Sequence, residues 1–111
     1  MSEPKTLLDK LWASHEVLRR EDGVSLLWVD RHLVHEGSHH AFAKFAARGL
    51  SVAGPNNTVA VVDHYAPTRT RDKIADPQVV RMIDTLRQNA KAHSLRIFDL
   101  DDPAQGIVHV V

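Results

Sequence analysis

Eight histidines occur among the 111 residues, and most fall between His32 and His64. They sit beside carboxylates and arginines at three places: the heptapeptide Asp30-Arg31-His32-Leu33-Val34-His35-Glu36, the pair Asp63-His64, and His109. An imidazole changes charge near neutral pH, so it can take up or deliver a proton. A neighbouring carboxylate can orient it, and Asp63 is so placed for His64. Arginine adds a fixed cation whose planar fork suits carboxylates. Arg31, Arg69 and Arg71 are the candidates, and the pattern suggests an acid/base site for a small anion. Blander readings compete. An Asp-His pair after a strand often only starts a turn. His32, His35, His39 and His40 invite a metal reading, but His-x-x-His-Glu matches neither zincin order, and a solvated helix start accounts for them better.

These residues need elements to hold them. Leu7, Leu8, Leu11, Trp12, His15 and Leu18 recur near helical spacing, which predicts a helix over 6–20 with Gly23 as its left-handed cap. The run 24–29 (VSLLWV) predicts a buried parallel strand, and 30–37 a polar loop. Ser38 is placed to cap a helix over 39–48, stopped at Gly49. After the turn 54–57, TVAVV at 58–62 predicts a second buried strand. Asp76 and Pro77 open a helix reaching about His93, with Val80, Ile83 and Leu86 on its apolar side. Residues 95–100 and 106–111 predict two further strands. Strands alternating with helices imply a parallel α/β sheet. The three polar sites then lie at or near strand ends, where parallel sheets bind ligands.

Composition narrows the classes. Lys+Arg and Asp+Glu balance at 14 each, so no long-range field favours nucleic acid or an anionic membrane. No apolar run approaches the roughly 20 residues of a membrane span. The polar start Met1–Lys5 has no signal core, and a cytoplasmic protein is expected. There are no cysteines, which removes disulfides, thiolate zinc and self-contained iron–sulfur ligation. The apolar ending at Val111 suggests an unfinished sheet and possible self-association.

Together the motifs resemble one family. Asp30-Arg31-His32-Leu33-Val34-His35-Glu36 is similar to a stretch of isopropylmalate dehydratase large subunits, a branch of the aconitase family. Asp63-His64, followed by Pro67-Thr68, Thr70 and Asp72, resembles the family's Asp-His segment and its threonine-rich tail. Gln105-Gly106-Ile107-Val108-His109-Val110 and the opening Lys5-Thr6-Leu7-Leu8-Asp9-Lys10-Leu11-Trp12 also look like family segments. The likeness covers the whole chain but only the first part of the large subunit.

The resemblance implies a layered α/β/α fold with a mostly parallel sheet. Residues 1–111 would be a single partial domain, an incomplete part of the aconitase N-terminal domain. It implies a 3-isopropylmalate dehydratase-like hydro-lyase of leucine biosynthesis, which isomerises 2- and 3-isopropylmalate by dehydration and rehydration. By resemblance Asp63, His64 and His109 are catalytic, with Asp63 and His64 assisting departure of the hydroxyl. His35, where aconitases place a substrate-contacting glutamine, would face the substrate together with Arg31. The family's cofactor is a 4Fe-4S cluster on three cysteines; this chain has none, so it is expected to hold no cluster and to be inactive alone. Implied partners are the dehydratase small subunit, the cysteine-bearing part of the large subunit and a small 2-hydroxy diacid. Tyr65 stands where the isopropylmalate branch commonly has asparagine, which leaves the diacid open. The alternatives are a stand-alone, non-catalytic diacid-binding or partner-binding module and a histidine metal-binding protein.

Overall fold

In the computed structural model, which describes residues 3–111, the first element begins at Thr6. The Thr6 hydroxyl accepts the Asp9 N–H at 3.1 Å, and the Asp9 carboxylate accepts the Thr6 N–H at 2.9 Å. This reciprocal box starts helix α1, Leu7–His15. The helix stops five residues short of the expected Arg20. Glu16–Arg19 is instead a strand, β1, paired antiparallel with β2, Ser25–Leu27. Gly23, with φ 84°, supplies the left-handed position of the hairpin turn and does not cap the helix. The predicted buried parallel strand over 24–29 is therefore a short antiparallel arm, and none of residues 3–30 is buried. The Glu16 carboxylate ties the hairpin by accepting from the Ser25 hydroxyl and from Arg19 Nε. His15 bonds the Leu11 carbonyl at 2.7 Å and Asp30 at 3.0 Å. The carbonyl first, and Asp30 next, raise the His15 pKa above the usual imidazole value.

The chain divides into two compact units, up to Asp30 and from Arg31 to Val111. The second unit holds β3 (His32–Val34), β4 (Thr58–Val61) and β5 (Arg96–Phe98), parallel and in sequence order. The parallel α/β expectation holds here. β3, however, lies inside the segment expected to be a loop, and its register pairs Leu33 with Val59 and Val34 with Ala60. Helices α2 (His39–Ala47) and α3 (Pro77–Ala92) make the two crossovers. Right-handed crossovers that advance in one direction put their helices on one face of a sheet. Accordingly Phe42 of α2 and Ile83, Leu86 and Ala90 of α3 pack with Val34, Ala60 and Val62. The alternate residues Val59 and Val61 meet Val108 on the other face, beside Leu33 and Phe98. β4 is central and buried at every position.

The ends of α3 follow the expectation. The Asp76 carboxylate accepts the Gln78 N–H at 2.7 Å, and Pro77 fills the first turn. Val79, not the half-exposed Val80, joins Ile83 on the apolar side. At the other end Ser94, at φ 56°, bonds Lys91 O while Leu95 bonds Ala90 O, a Schellman closure that buries Leu95. His93 accepts the Val52 N–H and lies 5.2 Å from the Phe42 ring, which links α3 to α2. Ser38 makes no side-chain cap on α2; its hydroxyl accepts the His35 N–H instead. Residues 106–111 form turns, not the predicted fourth strand, because the Val108 N–H is directed at the Asp63 carboxylate. No helix among the described residues is long and apolar enough to cross a membrane.

Arg87 of α3 clamps Asp99, just after β5, through Nε–Oδ2 at 2.7 Å and Nη2–Oδ1 at 2.8 Å. These hydrogen bonds, more than any other influence, hold the Asp99 carboxyl below the usual carboxylate range. A depressed folded-state pKa stabilises above the unfolded value, roughly 3.9, and that stability is lost as pH falls through the folded value. Asp99→Asn should therefore weaken the fold near pH 7, by about 1 kcal/mol or less because Arg87 is 42% exposed. Urea unfolding should find the gap between mutant and parent closing as the pH is taken below about 4.

Candidate functional site

The site begins where β3 ends. Val34 is buried in the core, and the next residue but one, Glu36, is also buried, at 1% exposure. A buried carboxylate needs partners. Glu36 Oε1 accepts the N–H groups of Asp63 at 3.0 Å and Tyr65 at 3.2 Å, and Oε2 accepts that of His64 at 3.1 Å. Three consecutive amides just beyond β4 thus converge on one side chain from the end of β3.

The side chains of that loop are ordered by the same arrangement. The His35 and His64 rings stack with centroids 3.9 Å apart and planes 8° from parallel. His35 Nδ1 accepts the Gly37 N–H at 3.0 Å, so a neutral His35 carries its proton on Nε2 and offers a donor. Asp63 Oδ2 accepts the Val108 N–H at 3.0 Å and lies 3.3 Å from His64 Nδ1. Asp63 is mostly covered, with 14% of its side chain exposed, whereas His64 is half exposed. A shielded carboxylate therefore backs an imidazole that reaches solvent. Gln105 stitches the C-terminal turn to this end of the sheet, donating to Val62 O at 2.6 Å and accepting from Arg71 at 2.8 Å.

The structure thus brings His35, Asp63 and His64 together at the carboxyl ends of β3 and β4. His109 is exposed on the Ile107–Val110 turn, next to the Val108 that holds Asp63. Arg31 precedes β3 while His35 follows it, and the three residues of the strand set their Cα positions about 13 Å apart. Arg31 lines a different cleft, with Asn56, Thr58, Ser94 and Arg96 at the amino ends of the strands. Arg71 is committed to Gln105 and the Leu100 carbonyl, and Arg69 is exposed.

Ligand atoms of His35, Glu36 and His64 all lie within 4.8 Å of one another, close enough in principle for a cation. Both Glu36 oxygens and His35 Nδ1 are already engaged by N–H donors, which competes with that use. His39 turns back to the Glu36 carbonyl and packs on His40, and neither belongs to that group. Thiolates for an iron–sulfur cluster are lacking, since the sequence has no cysteine. Glu36 is the buried member of this site to which the motifs assign no role. In the sequence it only closes the heptapeptide 30–36, and its partners lie 27 to 29 residues away.

Fold and site define a parallel α/β segment with acid/base side chains at the carboxyl ends of its strands. The chain belongs to the aconitase family: the pattern for aconitase (aconitate hydratase) matches residues 9–111. It is similar to the 3-isopropylmalate dehydratase large subunits of two strains of Thermus thermophilus, at 43% identity to each over 109 residues. Those residues are 96% of this chain and 23% of each relative, so the chain spans under a quarter of their length. No solved structure matches the chain.

Gly37 makes the His35 geometry possible. A Cβ at position 37 would lie 2.7 Å from His35 Cε1, closer than such carbons approach. Gly37→Ala should push the His35 ring off its Nδ1 bond and off His64 while leaving the core in place. Nuclear Overhauser contacts between the two imidazoles should vanish in this variant; their survival would show that the ring tolerates the added carbon.

Proposed function

We propose that this chain supplies the Asp63–His64 acid/base arm, and the adjoining His35, of a 3-isopropylmalate dehydratase-like hydro-lyase acting in leucine biosynthesis. The observation that carries the reading is His64 stacked on His35 with Asp63 3.3 Å behind it, in a chain of this family. Dehydration of a 2-hydroxy diacid breaks a C–O bond and the adjacent C–H bond: the departing hydroxyl needs a proton, and the carbon-bound proton goes to a base from the remainder of the large subunit. A protonated His64 is exposed enough to deliver it, with Asp63 balancing the imidazolium that must form again for the reverse step. Neutral His35 offers its Nε2–H to a substrate carboxylate or hydroxyl. His109, one residue beyond the amide that steadies Asp63, joins this network if its turn closes over the substrate. The cluster of the family supplies a Lewis-acidic iron; imidazoles and a carboxylate do not replace its thiolates, which must come from the cysteine-bearing remainder of a large subunit. The small subunit would complete the assembly.

The test is assembly. The chain should be combined anaerobically with the cysteine-bearing remainder and small subunit of a Thermus relative, with iron and sulfide, and assayed for loss of isopropylmalate. Turnover is expected from the assembly and not from the chain alone. His64→Asn in this chain should then lower kcat by about 10²- to 10⁴-fold. Unchanged turnover in that variant would remove His64 from the chemistry.

A further inference from the structure

Glu36 is buried to 1% exposure, yet the acid/base reading gives it no task. Its nearest cationic candidate is His35 Nδ1 at 4.0 Å, an atom already taken by the Gly37 N–H. What surrounds the carboxylate is amide: three successive N–H groups at 3.0, 3.1 and 3.2 Å. Consecutive backbone N–H groups aimed at one point form a concave receptor for an anion. In this chain the receptor belongs to Asp63, His64 and Tyr65, and the anion is the chain's own side chain.

The placement has a consequence for chemistry. The last ladder bond at this end of β4 is Val62 N–H to Phe98 O, so beyond it the sheet no longer holds the backbone. Asp63 and His64 project from the stretch that Glu36 grips. Shifting that backbone by an ångström would carry His64 off the His35 face and change the separation between Asp63 and the imidazole. We infer that Glu36 is the positioning residue of the site: its carboxylate sets the backbone from which Asp63 and His64 face the substrate. The inference rests on reading those two as the acid/base pair.

Charge and acceptor count, not size, are what the role requires. In Glu36→Gln one oxygen becomes an NH₂ donor that faces an N–H donor, so three donors can no longer be matched. Glu36→Asp keeps the anion on a shorter stem. Glu36→Gly leaves the receptor empty, and added formate can refill it.

The experiment reads the ligand-free chain by ¹H–¹⁵N NMR and hydrogen exchange. In Glu36→Gln the amides of residues 63–65 should shift together and lose at least tenfold in exchange protection, and the contacts between the His35 and His64 rings should disappear. Methyl signals of Ile83 and Leu86 should stay in place. Glu36→Asp should retain part of the protection. Formate, but not chloride at equal concentration, should restore the three amides in Glu36→Gly. Retention of amide protection and ring contacts in Glu36→Gln would overturn the inference, as would equal restoration by chloride. Should Glu36→Gln unfold, the parent chain decides: amides 63–65 protected like that of Val61 support the role, and exchange at free-peptide rates overturns it. Turnover is not read, so this inference and the assembly test above can fail independently.

Discussion

A carboxylate removed from water is the constraint around which this site is built. Burying an ionised group costs several kcal/mol when it is left without partners. Hydrogen bonds to a charged group contribute about 1.5–3 kcal/mol each. The three amides on Glu36 are therefore of the right size to offset its burial, and the two halves depend on each other. Remove the acid and three donors lose their acceptor; move the loop and a buried charge is left without partners. The Asp63 and His64 side chains inherit this rigidity, because their own amides are among the three. The Val108 amide on Asp63 and the Gly37 amide on His35 then fix the two flanking groups with backbone donors.

The sheet explains why those groups meet at all. Parallel strands in sequence order expose all their carboxyl ends at one edge, and β3 and β4 are neighbours, so the residues following each are brought side by side. The same geometry separates Arg31 from His35, since one precedes and the other follows a three-residue strand. It also leaves the sheet unequally covered. Both helices lie over Val34, Ala60 and Val62, whereas the opposite face receives Val108 from the C-terminal turn.

Much of this was open to reading from residue order, and the misses have physical causes. After Thr58 the run VAVV is apolar throughout because β4 is buried on both faces, so it announces itself. Asp76-Pro77 and the Ile83, Leu86, Ala90 spacing identify α3 because cap and apolar stripe are both local. His35, Asp63 and His64 stand out because their types are chemically conspicuous, and the structure brings them together. The hairpin was hidden: Leu18 continues the spacing of α1, and only its pairing with Leu26 reveals a strand. β3 was hidden for a similar reason. Three residues between polar neighbours carry too short an alternation, and the strand exists through its register with Val59 and Ala60. Residues 106–111 misled in the other direction, since a valine-rich run reads as a strand until Asp63 takes the Val108 amide. Glu36 was the deepest miss. Within the heptapeptide 30–36 it carries no role of its own, and nothing local to it signals amides 27 to 29 residues on.

The most direct test is a crystal structure of the chain at a resolution that fixes side-chain oxygens. The account predicts the Glu36 carboxylate turned inward, with both oxygens within hydrogen-bond distance of the Asp63, His64 and Tyr65 amides, beneath parallel His35 and His64 rings. A Glu36 side chain turned to solvent, with those three amides bonded elsewhere, would contradict it.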